Sequence, residues 1–195
     1  VAIQPEDAIM LGGHTAGSVA WIDDVFLKWV TTGYYREGLN RAADEMNVNG
    51  EFRNIIGTSW QPLYAISTYQ AASKNKNIEA FSYRPTDKKS KQTSATILKN
   101  TPAANRLVAE LGYKIIEQEQ LGTDDVPDML MLQFTVRTPN EKLFSLHSAE
   151  KEDLYLRLDK EIQILIRQIE AKIGVDKTLF FMFGNQTDQH SPTEL

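Results

Sequence analysis

Between Pro127 and Asp188 the apolar positions follow two unlike patterns, and the rest of the chain reads around them. Met129, Leu130, Met131 and Leu132 form an unbroken apolar run, which Phe134 and Val136 continue on alternate positions. Leu179, Phe180, Phe181, Met182 and Phe183 form a second run. Runs this short, rich in strand formers and bounded by turn residues, predict strands covered on both faces, over 129–136 and 178–183. Between them Leu154, Leu158, Ile162, Leu165, Ile169 and Ile173 recur at steps of three or four. That spacing predicts one helix over Ala149–Ile173 with a single apolar stripe and Leu158 inside the buried seam. Ser148 suits the cap, and Glu150, Glu152 and Asp153 suit the positive end of the helix dipole. Lys172 and Gly174 suit its end. Strand, helix and strand of this length predict a right-handed βαβ unit, with the two strands side by side and parallel. In such sheets chemistry gathers beyond the carboxyl ends of the strands, here 136–142 and 183–188.

Elsewhere the patterns are shorter. Residues 21–35 alternate apolar and polar and predict a hairpin turning near Asp23 and Asp24; a turn accounts for this acidic pair better than a catalytic dyad. Residues 36–47 predict a helix with Leu39, Ala42, Ala43 and Met46 on one face. Trp60 and Tyr64 are read as packing under a long loop rather than as a ligand platform. Residues 75–96 are polar, with Arg84, Lys88, Lys89 and Lys91 in the second half, and predict a solvated surface excursion. Thr101 and Pro102 open a helix whose apolar face is Ala104, Leu107, Val108, Leu111 and Ile115. Residues 122–128 make a turn-rich link. His14 follows Gly12 and Gly13; at a strand-to-loop turn such a histidine is expected to bond backbone rather than a ligand. No internal repeat or second domain is visible, so 1–195 is read as one domain, part of a larger fold.

Composition narrows the function classes. The chain has 195 residues, enough for one α/β domain with a sizeable core. Lys and Arg number 21 against 26 Asp and Glu, a net charge of −5 that disfavours a general nucleic-acid binder. With no cysteine there is no disulfide and no thiolate metal site. No apolar run reaches the length of a membrane span, and no signal peptide is visible. The chain begins at Val1 rather than Met, as a trimmed chain would.

Three blocks carry a family resemblance. The segment D-L-Y-L-R-L-D (Asp153 to Asp159), with Gly174, Asp176 and Leu179 at ungapped spacing, is similar to the C-terminal half of the alkaline phosphatase superfamily. Within it the nearest branch is the bacterial phosphomonoesterases related to nucleotide pyrophosphatase/phosphodiesterases. A-I-Q-P-E-D-A-I-M-L-G-G-H-T-A (Ala2 to Ala16) resembles the family segment A-L-K-D-R-x-A-I-L-P-x-G-H-x-A. Thr101, Pro102 and Asn105 resemble its T-P-x-x-N. The resemblance implies a three-layer α/β core, a mainly parallel sheet flanked by helices. It also implies that the nucleophile segment lies before anything corresponding to Val1 and a last ligand histidine after Leu195. A periplasmic or secreted location is implied by the resemblance alone.

The same alignment implies a site whose chemistry has been replaced. The family motif S-F-x-x-x-D-x-x-G-H runs from Gln133 to Lys142, and T/S-A-D-H-G falls on 183–187. Thr138, Lys142, Asn185 and Gln186 then stand where the family has metal-binding Asp, His, Asp and His. Gln4 and Glu6 stand where it has a phosphate-clamping Lys and Arg, cations suited to phosphate oxygens. Two dications close together need several carboxylates to offset their repulsion, and none of these four residues is an anion. The expectation is a catalytically inactive domain without the family's two zinc ions, binding an unknown small molecule or protein, with no nucleic acid and no membrane span. The competing expectation is a metal-dependent phosphatase or phosphodiesterase whose catalytic residues lie outside this chain.

Overall fold

A computed structural model describes residues 1–70, 79–84, 93–137 and 148–184. Its helices are α1 (Pro5–Gly12), α2 (Arg41–Val48), α3 (Glu51–Ile56), α4 (Ser94–Lys99), α5 (Pro102–Gln118) and α6 (Ala149–Ile173). Two short strands, β1 (Trp21–Ile22) and β2 (Trp29–Val30), pair antiparallel with Trp21 opposite Val30 and Ile22 opposite Trp29.

The two long helices form where the apolar periodicity and the caps agree. Helix α5 has Pro in its first turn, where the missing N–H costs nothing. Its expected apolar face, Ala104, Leu107, Val108, Leu111 and Ile115, is buried against Trp29, Met46, Phe52 and Leu98. Helix α6 begins at Ser148, whose side chain accepts from the Lys151 backbone N–H at 3.2 Å, and ends at Gly174 with φ 106°, a value few other residues adopt. Its stripe is buried unevenly. Leu154, Leu165 and Ile169 are buried, whereas Leu158, Ile162 and Ile173 are half-covered. Leu158 is therefore not in a closed seam. The cover on α6 comes from α5, through Ala109 and Ile116, and reaches Leu165 and Ile169.

Residues 129–137 lie along α5. Leu130, Leu132 and Phe134 all pack on the core, the alternation expected of a strand facing a helix. Gly112 allows the approach: a Cβ there would meet Leu132 Cδ1 at 2.8 Å. Backbone bonds come from two sources. The Val1 amino group donates to the Met131 carbonyl at 2.8 Å, and the Gln133 N–H donates to the Val1 carbonyl at 3.0 Å. Asn105, buried on α5, presents its side-chain amide to Thr135 as a neighbouring strand would. Its Nδ2 donates to the Thr135 carbonyl at 2.8 Å, and its Oδ1 accepts the Thr135 N–H at 2.9 Å. The T-P-x-x-N match at Thr101, Pro102 and Asn105 is thus a joint between helix and extended chain.

Two expectations change. Among the described residues 129–136 and 178–183 do not pair; the only sheet is the two-stranded one. Leu179, Phe181, Met182 and Phe183 are 81%, 67%, 74% and 84% exposed, so nothing described covers that run. Strands covered on both faces need neighbours and flanking layers, which the described residues do not supply. Second, residues 5–12 are helical, so Gly12 ends a helix and Gly13 follows it, with no strand before them. Pro5 in the first turn, followed by Glu6 and Asp7, is the local signal for that start. The hairpin is where the alternation placed it, and α2 begins at Asn40, whose Oδ1 accepts from Ala43 N–H at 2.8 Å.

Candidate functional site

Of the six positions read as the substituted site, Gln4 and Glu6 are described; Thr138, Lys142, Asn185 and Gln186 lie outside the described residues, as do His147, Asp188 and His190. Gln4 is the residue before α1, with extended backbone. Its side chain does not cap the helix but turns to Lys99, whose Nζ donates to Gln4 Oε1 at 3.2 Å. Lys99 ends α4 and is 2% exposed. Its ammonium also pairs with Asp24 Oδ1 at 2.6 Å. Asp24 sits at the tip of the β1–β2 hairpin, where Asp23 Oδ1 accepts from the Val25 and Phe26 N–H groups and fixes the turn. Those two bonds hold the Asp23 carboxyl below its usual range. Glu6 is exposed in the first turn of α1, beside Asp7. A cation does therefore reach Gln4, from 95 residues away, and a carboxylate is already on it.

The other singled-out residues have structural partners. His14 Nδ1 lies 3.0 Å from the Tyr34 hydroxyl, a side chain rather than the expected backbone. The neighbouring Gly13 carbonyl is taken by the Tyr35 hydroxyl at 2.8 Å. Asp128 accepts from the Gly122 N–H at 2.7 Å, which makes it part of the turn. Trp60 packs on Phe81 and Tyr83 with ring centroids 5.1 and 5.4 Å apart, as expected of a loop cluster.

Asp153, in the sequence an acid at the positive end of α6 and the first residue of D-L-Y-L-R-L-D, has a larger task in the fold. It is fully buried and accepts from four donors: Trp60 Nε1 at 2.6 Å, Leu63 N–H at 2.6 Å, the Tyr69 hydroxyl, and Arg157 Nε at 2.6 Å. Arg157 reaches on to the Gln61 carbonyl at 2.8 Å. Burial, then the bond to Asp153, raises the Tyr69 pKa. Next to it, Tyr83 donates to Glu150 Oε1 at 3.0 Å, and its pKa is raised by burial and by that carboxylate. The D-L-Y-L-R-L-D segment thus ties the start of α6 to the 60–69 loop. An Asp and an Arg four apart on a helix were visible in the sequence; their partners were not.

An open cleft lies between α3 and α5, lined by Glu51, Asn54, Ile55, Thr58, Arg106, Glu110 and Lys114. Burial raises the pKa of Glu51 and of Glu110 there. Among the described residues no three His, Cys, Asp or Glu side chains converge as a metal cage, and no helix is long and apolar enough to cross a membrane.

No family model matches the chain. It is 27% identical over 203 residues to a "Calcium-transporting ATPase" of Myroides odoratus, covering 98% of this chain and 37% of that protein. It is 25% identical to alkaline phosphatase PafA of Elizabethkingia meningoseptica, with the same coverage of 98% and 37%. Two crystal structures of PafA, wild type and a multiply substituted variant, align with TM-scores of 0.68 and 0.71 at 25% identity, over 89% of this chain and 35% of theirs. The fold is accordingly α/β and alkaline-phosphatase-like. The chain is similar to alkaline phosphatases over nearly its whole length and spans about a third of the length of the relatives it matches.

Proposed function

We propose that this chain is a catalytically inactive alkaline-phosphatase-like domain that serves a binding or structural role. The observation that carries the reading is the state of the former clamp. Gln4 and Glu6 stand in place of two cations as an amide and an exposed carboxylate, and the ammonium that reaches Gln4 among the described residues, that of Lys99, is already paired with Asp24. With Glu6 and Asp7 alongside, the local charge repels a phosphate dianion. The donor set at the proposed metal positions points the same way. Thr138 and Asn185 offer neutral oxygen, Gln186 is a weak ligand, and Lys142 adds positive charge, so these residues do not fit a pair of zinc ions.

A second reading rests on coverage. Because the chain matches about a third of each relative, a metal-dependent phosphatase or phosphodiesterase with its catalytic residues elsewhere is its competitor. Zinc retention separates the two. Protein purified without chelator and dialysed against zinc should retain less than one equivalent and leave p-nitrophenyl phosphate and its bis-ester intact. Two equivalents retained, with hydrolysis lost on Asn185→Ala, would overturn the inactive reading.

A further inference from the structure

We propose that Asp24 is an internal anion: the hairpin tip holds its carboxylate where a small oxyanion would otherwise meet Lys99 and Gln4, and so closes this position to external phosphate or sulfate.

Lys99 closes α4 with its ammonium buried. An ammonium that is 2% exposed cannot be left without a negative partner, because burying an isolated charge is far costlier than burying a paired one. Helix α4 fixes it in place: Thr93 caps the start by accepting from the Thr96 N–H at 3.1 Å, and Ala95, Ile97 and Leu98 are buried. Gln4 supplies only a neutral oxygen, at 3.2 Å. The compensating charge is Asp24, at 2.6 Å.

Asp24 differs from Lys99 in being delivered from outside. Its side chain is 66% exposed, against 2% for the lysine, so the pair is a buried cation met by an anion at the surface. The chain positions that anion through its neighbours. Asp23 turns its own carboxylate onto the Val25 and Phe26 N–H groups, its N–H donates to the Lys28 carbonyl at 2.9 Å, and Leu27 takes a positive φ of 48° to close the turn. A six-residue turn between two-residue strands is thus built to present one carboxylate. A solvent-accessible position beside a buried ammonium is what an oxyanion needs, and Asp24 fills it.

This deepens the reading of a clamp without free cations, and the same experiment separates the two. Wild type, Asp24→Asn and the Asp24→Asn/Lys99→Met double variant are melted in sodium phosphate, in sodium sulfate and in sodium chloride at matched ionic strength. Calorimetry with inorganic phosphate accompanies the melts. Wild type should show only the general rise that excluded sulfate and phosphate give any folded chain, and the gains of the variants are read relative to it. Asp24→Asn should melt lower in chloride and gain about 3–6 °C at roughly ten times the phosphate Kd. The double variant should lose that gain. If Asp24→Asn is unfolded in chloride, its recovery of far-UV circular dichroism in phosphate is the equivalent readout. An Asp24→Asn protein as indifferent to phosphate as wild type overturns the internal-anion proposal alone. Phosphate binding by wild type that vanishes on Gln4→Ala overturns the clamp reading as well.

Discussion

At the residue scale the buried charges and amides decide most. Asp153 is the acceptor for an indole, a phenol, a backbone N–H and a guanidinium, all from or held against the loop around residues 60–69. Removing it leaves those donors buried without an acceptor, which costs more than the bonds themselves contributed. Asp153→Ala should destabilise by about 3–5 kcal/mol on denaturant titration. Asp153→Asn, which keeps one acceptor oxygen, should cost less. A loss below about 1 kcal/mol for the alanine variant would mean the loop does not depend on α6. Asn105 works on the same principle with a neutral group, matching the donor and acceptor of Thr135 with its own acceptor and donor. In both cases the resemblance marked the residue, and the fold gave it a scaffolding task.

At the element scale the join between α5 and α6 carries charge as well as apolar contact. Glu110 on α5 and Glu161 on α6 both have raised pKa values, first because burial disfavours the carboxylate. Glu161 further raises Glu110, while Arg106 lowers both. A carboxyl whose folded pKa lies above its unfolded value keeps its proton longer when folded, so stability falls as pH rises from the unfolded value near 4.5 through the folded one. Glu161→Gln should therefore stabilise at pH 7 by under about 1 kcal/mol, and the gain should disappear below about pH 4.5. Denaturant titrations at both pH values test it; a gain that persists or grows in acid would assign the effect to packing. The periodicity of α6 showed its apolar stripe in advance; Leu154, Leu165 and Ile169 are buried and Leu158 is not, and α5 is what covers Leu165 and Ile169.

For the whole molecule, the feature with most consequence is the run Leu179 to Phe183. Five consecutive apolar residues, 43% to 84% exposed, have no backbone partner among the described residues. An extended apolar segment with unpaired N–H and C=O groups is a template for pairing with another chain. The isolated chain should self-associate as its concentration rises. Phe181→Lys/Phe183→Lys should weaken that association tenfold or more, since burying each phenylalanine contributes about 1.5–3 kcal/mol and about 1.4 kcal/mol is a factor of ten. Sedimentation velocity across a concentration series reads this directly. A monomer at every concentration, or association unchanged in the double variant, would show that the run is not the contact.

The sequence by itself determined what depends on near neighbours. The α5 and α6 helices, the Ser148 cap and the hairpin at Asp23 and Asp24 follow from spacings of two to four residues, where backbone geometry alone decides which side chains share a face. The likeness to alkaline phosphatases was also legible in short motifs. Only the tertiary structure decided the partners, because they come from far along the chain. Lys99 reaches Gln4 across 95 positions, and Trp60 reaches Asp153 across 93. No local pattern encodes such a meeting: a lysine at the end of a short helix and an aspartate in a turn look solvated until the fold brings them to 2.6 Å. Burial then makes the difference, since a charge that water would otherwise screen must find its counter-charge within the protein.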